Sequence, residues 1–165
     1  MGDGPQMSEL RNFIEREDLA DGITLHGWVE HEQVNDILAE CQIFAFPSVR
    51  EFGGGVVLEA MAKGLVPIIV DYGGPAELVP DGTGVRIPLA DATKIEQDLR
   101  SWLEEFQQNI GRLDSMRKAA QAYVYRHFTW EAKAAQILEI YHWVLGRRPD
   151  KPDFGTPLAA NDSTP

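Results

Sequence analysis

Two carboxylates eight residues apart, Glu51 and Glu59, bracket three consecutive glycines, Gly53, Gly54 and Gly55, and the chain then runs into a good helix-forming segment. Three glycines let the backbone turn without a Cβ penalty and come close to a bound group. A helix beginning near Gly55 or Val56 points unpaired N–H groups and the positive end of its dipole at the same spot, which suits an anion. Glu59 lies within the first turns of that helix, and because helical side chains lean towards the N-terminus it can reach back to a ligand seated on the glycines. A carboxylate only accepts hydrogen bonds, so beside a phosphate it serves a neutral hydroxyl group such as that of a sugar. The same residues also read as an ordinary strand-to-helix turn, with Glu51 solvated and Glu59 capping an amide, since glycine-rich turns are common punctuation.

The elements that must position this stretch follow from periodicity and breakers. Met7, Leu10, Phe13 and Ile14 give a helix over residues 6–17, and Val34, Ile37 and Leu38 another over 32–40. Residues 23–26 read as a short strand closed by Gly27. Residues 43–46 form a continuous apolar run, expected of a strand covered on both faces and ended by Pro47 and Ser48. The helix after the glycines stops at Gly64 as a C′ residue, and 66–70 forms the next buried strand. That strand leads into Asp71, Tyr72, Gly73 and Gly74, with Pro75 suited to the first position of a short helix and a last strand over 84–87. From Asp91 the chain turns helical, with further helices over 113–128 and, capped by Thr129, to about Leu145. Residues 1–146 thus read as one domain and 147–165, with four prolines and no periodicity, as a disordered tail. Strands alternating with helices give an α/β fold, a Rossmann-like parallel sheet whose ligands sit beyond the carboxyl ends of the strands. Gly27, Ser48 and Asp71 mark those ends.

Composition narrows the partners. At 165 residues with 44% hydrophobic residues the chain can bury a sizeable core. Its 26 acidic and 15 basic residues give a net charge of −11, which argues against sequence-independent nucleic-acid binding and against a polybasic grip on lipid. The single cysteine, Cys41, cannot form an internal disulfide and reads as a small core residue. No apolar run is long enough to span a bilayer and no charged-then-apolar leader opens the chain, so a cytoplasmic location is expected. The histidines, at 26, 31, 127 and 142, have no ligand spacing and no Asp-x-Asp is present, so neither a metal nor another cofactor is expected.

The Glu, seven residues, Glu pattern with its glycine-rich centre and the continuation Glu59, Ala60, Met61, Ala62, Lys63, Gly64 resembles the nucleotide-sugar motif of retaining glycosyltransferases of the GT-B fold, the glycogen-synthase-like and mannosyltransferase-like group. Further elements stand in that family's order: Gly2 to Pro5, Leu25 to Gly27, Phe46 to Ser48, residues 66–70, residues 73–79 and residues 81–84. The local form Glu51, Phe52, Gly53, Gly54, Gly55 departs from the commoner Glu-Gly-Phe-Gly-hydrophobic form. The resemblance implies a C-terminal, donor-binding domain that transfers a glycosyl group from a nucleotide-diphosphate sugar with retention of configuration. The amides of Gly54, Gly55 and Val56 would hold the diphosphate and Glu59 the ribose hydroxyls. Glu51 would act near the donor sugar as the catalytic carboxylate, though not as a nucleophile. Gly53, Ser48, Gly73 and Gly74 would line the donor cleft, with Gly27 and Trp28 near the base.

The same resemblance places two strands and a phosphate-binding Gly-Arg to Lys-Gly segment upstream of Gly2, together with an acceptor domain. On that expectation the chain is N-terminally incomplete, inactive alone and prone to self-association through unpaired strand edges, or forced to pair residues 23–26 with 43–46. Arg50 is the nearest substitute cation by sequence, with a solvated surface residue as its plainer reading. Trp28, Gly73 and Gly74 likewise have plain readings as a core residue and a tight turn. The reading from a different class is a non-catalytic, Rossmann-like binding or interaction module that keeps the motif for packing. An NAD-dependent oxidoreductase is excluded because no Gly-x-Gly-x-x-Gly follows a strand with an acid about 20 residues on.

Overall fold

The computed structural model describes residues 2–155, which fall into two compact units, one up to Glu40 and one from Cys41 onward. The first unit holds α1 (Met7–Arg16) and α2 (His31–Ala39). Residues 23–26 form no strand there, contrary to expectation. A strand exists only through its neighbour's hydrogen bonds, and a four-residue stretch with no ladder partner among the described residues stays irregular. What holds this stretch instead is a turn-to-turn contact, in which the Gly2 amide donates to the Gly27 carbonyl at 2.6 Å.

The second unit carries a three-stranded parallel sheet in the order β1 (Ile43–Phe46), β2 (Val66–Val70), β3 (Val85–Ile87). Ile43 is in register with Val66, and Ile68 with Val85. Every residue of β2 is buried, as a central parallel strand covered on both faces requires. Alternate β2 residues serve opposite faces. Val66 and Ile68 join Val85, Ile87, Phe106 and Leu113 on one side, while Ile69 joins Val57, Met61, Val79, Ala120 and Val124 on the other. The apolar run of β1 suggests equal burial, but among the described residues β1 pairs only with β2, and its residues are half-buried with Ala45 exposed. The parallel α/β architecture expected from the sequence is therefore present, built on three strands.

Among the described residues, five helices complete this unit: α3 (Gly55–Ala62), α4 (Gly73–Leu78), α5 (Ala92–Gln108), α6 (Ile110–His127) and α7 (Trp130–Val144). α3 ends where the sequence places its stop. Gly64 takes φ +77°, its amide donates to Met61 O, and the amide of the buried Leu65 returns to Ala60 O, the paired bonds of a Schellman cap. α6 reinforces this end: Arg117 Nε donates to Gly64 O at 2.8 Å and Gln121 Nε2 to Ala62 O at 3.0 Å. The side chains of Asp91, Asn109 and Thr129 each accept from the amide three residues on, which fixes the starts of α5, α6 and α7. α6 therefore begins three residues before the expected Leu113, at a cap that Asn109 announces. Pro75 is the third residue of α4 rather than its first, still within the turn whose amides lack intrahelical acceptors. Beyond α7, Arg148 pairs with Glu139 at 2.7 Å, so part of the segment read as a disordered tail is tied back to α7. The rest of that segment, residues 156–165, lies outside the described residues. Cys41 is half-buried rather than a core residue. No helix among the described residues is long and apolar enough to cross a membrane.

Candidate functional site

The loop between β1 and α3 emerges at the carboxyl end of its strand and enters the helix through Gly54, the N-cap, at φ +65°. That value lies in the left-handed region, where an L side chain is strained. Space excludes a side chain as well, since a Cβ on Gly54 would stand 2.9 Å from Pro75 Cγ and 3.1 Å from Pro75 Cα. The first turn of α4 approaches the same loop from the other side. A Cβ on Gly73 would meet the Glu51 carbonyl oxygen at 3.2 Å, and one on Gly74 would collide with the carbonyl oxygen of Phe52. Gly54, Gly73 and Gly74 thus serve backbone-to-backbone packing that fixes residues 51–54. Gly53 and Gly55 differ, because a Cβ at either would meet nothing within 4 Å.

Glu51 does not sit idle in solvent. One of its carboxylate oxygens, Oε1, accepts from the Gly54 amide at 3.1 Å and the Gly53 amide at 3.2 Å. These bonds, the Gly54 amide first, hold its carboxyl below the usual carboxylate range, with the Phe52 amide adding to the effect and burial opposing it. The loop's own carboxylate thus occupies part of an amide nest of the kind that takes anions. The resemblance assigns the Gly54 amide to a phosphate, whereas here it is engaged by Glu51. The amides of Gly55 and Val56, at the first two helical positions, have no intrahelical acceptor, and the next amide, Val57, closes on Gly54 O at 2.8 Å.

Glu59 stands one turn into α3, exposed, with no ion pair or hydrogen bond to its carboxylate among the described residues. Ser48 is structural, because its Oγ accepts from the Arg50 amide at 3.3 Å and braces the start of the loop. Glu51, Gly53, Gly54, Gly55, Val56, Gly73 and Gly74 are thus gathered around one loop, with Ser48 at its base and Glu59 on its helix. Gly27 and Trp28 belong to the first unit, where Gly27 takes φ +65° and Trp28 is 77% exposed rather than part of a core.

Two features escape a reading of sequence. Phe52 is 97% exposed at the tip of the loop, an apolar ring that no core uses. Its signal was its place between Glu51 and the glycines, where an aromatic residue can only cover something or face solvent. Pro75 acts at a distance of 21 residues, as the wedge that makes Gly54 obligatory, and nothing near Gly54 in the sequence announces it.

Residues 1–126 match the family described as glycosyl transferases group 1. Among curated relatives, the chain is 30% identical over 154 residues to N-acetyl-alpha-D-glucosaminyl L-malate synthase of Bacillus anthracis, covering 92% of this chain and 38% of that protein. It is 37% identical over 79 residues to the phosphatidylinositol N-acetylglucosaminyltransferase gpi3 subunit of Schizosaccharomyces pombe, covering 48% of this chain and 17% of that one. Among solved structures it is similar to HepE from Anabaena in complex with UDP-glucose, with a TM-score of 0.68 and 25% identity over 89% of this chain and 40% of that one. The chain thus spans well under half the length of each of these proteins.

Proposed function

Because the chain belongs to the glycosyl transferases group 1 family and has the α/β fold of GT-B glycosyltransferases, we propose that it supplies the donor-binding half of a retaining transferase that uses a nucleotide-diphosphate sugar. The observation that carries this reading is the contrast at residues 51–59. The amides of Gly55 and Val56 lack acceptors beside open space, and an unpaired carboxylate, Glu59, stands one turn away. A diphosphate suits those amides and the helix dipole, and ribose hydroxyls suit Glu59.

Each residue has a separate role on this reading. Gly53 and Gly55 leave room for the ligand, while Gly54, Gly73 and Gly74 hold the loop. Glu51 leaves the Gly53 and Gly54 amides when the donor arrives and turns to the donor sugar, where it orients a hydroxyl or stabilises positive charge developing at the anomeric carbon. Diphosphate oxygens replace it on the amides it vacates. The exposed ring of Phe52 covers the bound donor. The departing diphosphate itself takes the acceptor's proton, and stabilising that leaving group is the largest catalytic contribution. The donor needs no metal or other cofactor on this reading, and the acceptor is held by a further domain. The nucleotide base is held through backbone and aromatic contacts rather than a charged side chain.

The alternative, a non-catalytic module that keeps the motif for packing, is favoured by one fact: Glu51, Gly54 and Gly74 each have a complete structural role without a ligand. Calorimetric titration of UDP and GDP decides between them. Saturable binding that weakens by about 1.5–3 kcal/mol in Glu59→Ala supports the donor site. Equal affinity in wild type and Glu59→Ala, or no binding by either, supports the packing module.

A further inference from the structure

Glu51 and a bound diphosphate need the same two amides. Each backbone N–H carries one hydrogen, and those of Gly53 and Gly54 are both given to Glu51 Oε1, at 3.2 and 3.1 Å. A phosphate oxygen can take either amide only when the carboxylate has left it. The two occupants are alike in kind, since both are anionic oxygens that form charge-assisted hydrogen bonds. The carboxylate is tethered to the same loop, so it competes at the high effective concentration of an intramolecular partner.

The frame of this competition is fixed. Gly73 and Gly74 leave no room between α4 and the carbonyl oxygens of Glu51 and Phe52, and Pro75 packs on Gly54, so the backbone that carries the amides is held in place. The part that can change is the Glu51 side chain. No cation pairs with its carboxylate among the described residues, and the amides of its own loop account for the lowering of its carboxyl. Leaving the amides therefore takes only rotation about side-chain bonds, at the cost of the two hydrogen bonds.

What offsets that cost separates two ligands. A nucleoside diphosphate offers phosphate oxygens to the amides but no hydroxyl at the place of the donor sugar, so the displaced carboxylate gains nothing and stands beside a like charge. An intact sugar nucleotide offers it hydroxyl donors, the kind of partner an ionised carboxylate can use. Given the donor site proposed at residues 51–59, on which this rests, we infer that Glu51 is a selectivity residue: its carboxylate yields the Gly53 and Gly54 amides to an intact nucleotide-diphosphate sugar and reclaims them once the sugar has been transferred. The exchange favours the donor and expels the spent nucleoside diphosphate. A carboxylate that holds the amides about nine-tenths of the time weakens the spent diphosphate about tenfold, because only the vacated fraction binds it.

Calorimetry on wild type, Glu51→Ala and Glu51→Asp tests this with UDP against UDP-glucose and UDP-N-acetylglucosamine, and with GDP against GDP-mannose. Wild type should hold a sugar nucleotide about tenfold more tightly than its own diphosphate. Glu51→Ala vacates the amides, so the diphosphate should bind about tenfold more tightly and the preference for the sugar nucleotide should disappear. Glu51→Asp keeps the charge and, one methylene shorter, still reaches the amides of its own loop but not the sugar. It should bind the diphosphate as wild type does and also lose the preference. The gain in Glu51→Ala should persist in about 1 M salt, where a Debye length of about 3 Å removes repulsion at a distance but not direct competition for an amide. A diphosphate affinity unchanged in Glu51→Ala, a gain that vanishes in high salt, or a wild type without preference for any of these sugar nucleotides would each overturn the inference, while diphosphate binding that is saturable and weakened by Glu59→Ala would leave the donor site standing. No saturable binding of any of these nucleotides to wild type would remove the donor site and the inference with it.

Discussion

Residues 53–55 and residues 73–74 both place consecutive glycines at the entry to a helix, yet the two turns are not equivalent. At Gly74 a side chain has nowhere to go, because the carbonyl oxygen of Phe52 occupies the place of a Cβ. At Gly53 and Gly55 the same construction meets open space. Gly54 belongs with the second turn rather than with its own neighbours, since Pro75 packs directly on it. A run of glycines therefore does not announce one role. Here the packed positions hold the loop in place, and the open positions leave a ligand room to approach it.

Alanine substitutions can break this comparison. Gly74→Ala should have the largest effect, because backbone meets backbone and neither side can yield cheaply. We expect a loss of about 2–4 kcal/mol in urea unfolding and, with the loop displaced, loss of UDP binding. Gly54→Ala follows at about 2 kcal/mol, combining left-handed strain with contact on Pro75. Gly55→Ala should leave stability unchanged or raise it by about 0.5 kcal/mol, since alanine is the better helix former. It should nevertheless weaken UDP binding, because the added methyl enters the space reserved for the ligand. If Gly55→Ala destabilises the protein as much as Gly54→Ala, the distinction between packed and open glycines fails.

The smallest effect sharpens the role of Glu51. Its carboxyl is depressed in the folded state by the Gly54 and Gly53 amides, so its contribution to stability is present above the ordinary carboxylate value of the unfolded chain. That contribution is lost as pH falls through the lower folded-state value. Glu51→Gln should therefore be less stable than wild type at neutral pH, with the difference shrinking on acidification below the carboxylate range. A difference that stays constant through that range would mean the carboxylate does not cap these amides.

Much of the frame was legible in the sequence because it rests on local rules. Asp91 and Thr129 are the caps their residue types suggest, Gly64 ends α3, and the apolar run at 66–70 is the buried central strand. The parallel α/β class follows from the alternation of elements. What the sequence did not show depends on neighbours distant along the chain. Among the described residues, 23–26 have the composition of a strand but no ladder partner, and β1 has the composition of a central strand but pairs only with β2. At the site, residue types drew attention to Glu51 and the glycines. That Glu51 turns its carboxylate onto its own loop is a matter of side-chain conformation, and that Gly54 alone among the three is packed depends on Pro75.

In the proposed mechanism the amides at the start of α3 receive the donor's diphosphate in exchange for the Glu51 carboxylate. Following backbone amide resonances by NMR while UDP is added tests this exchange most directly. Saturable shifts are expected at Gly55 and Val56, accompanied by shifts at Gly53 and Gly54 as they pass from carboxylate to phosphate. Saturable UDP binding that leaves the amides of residues 53–56 unmoved would contradict it.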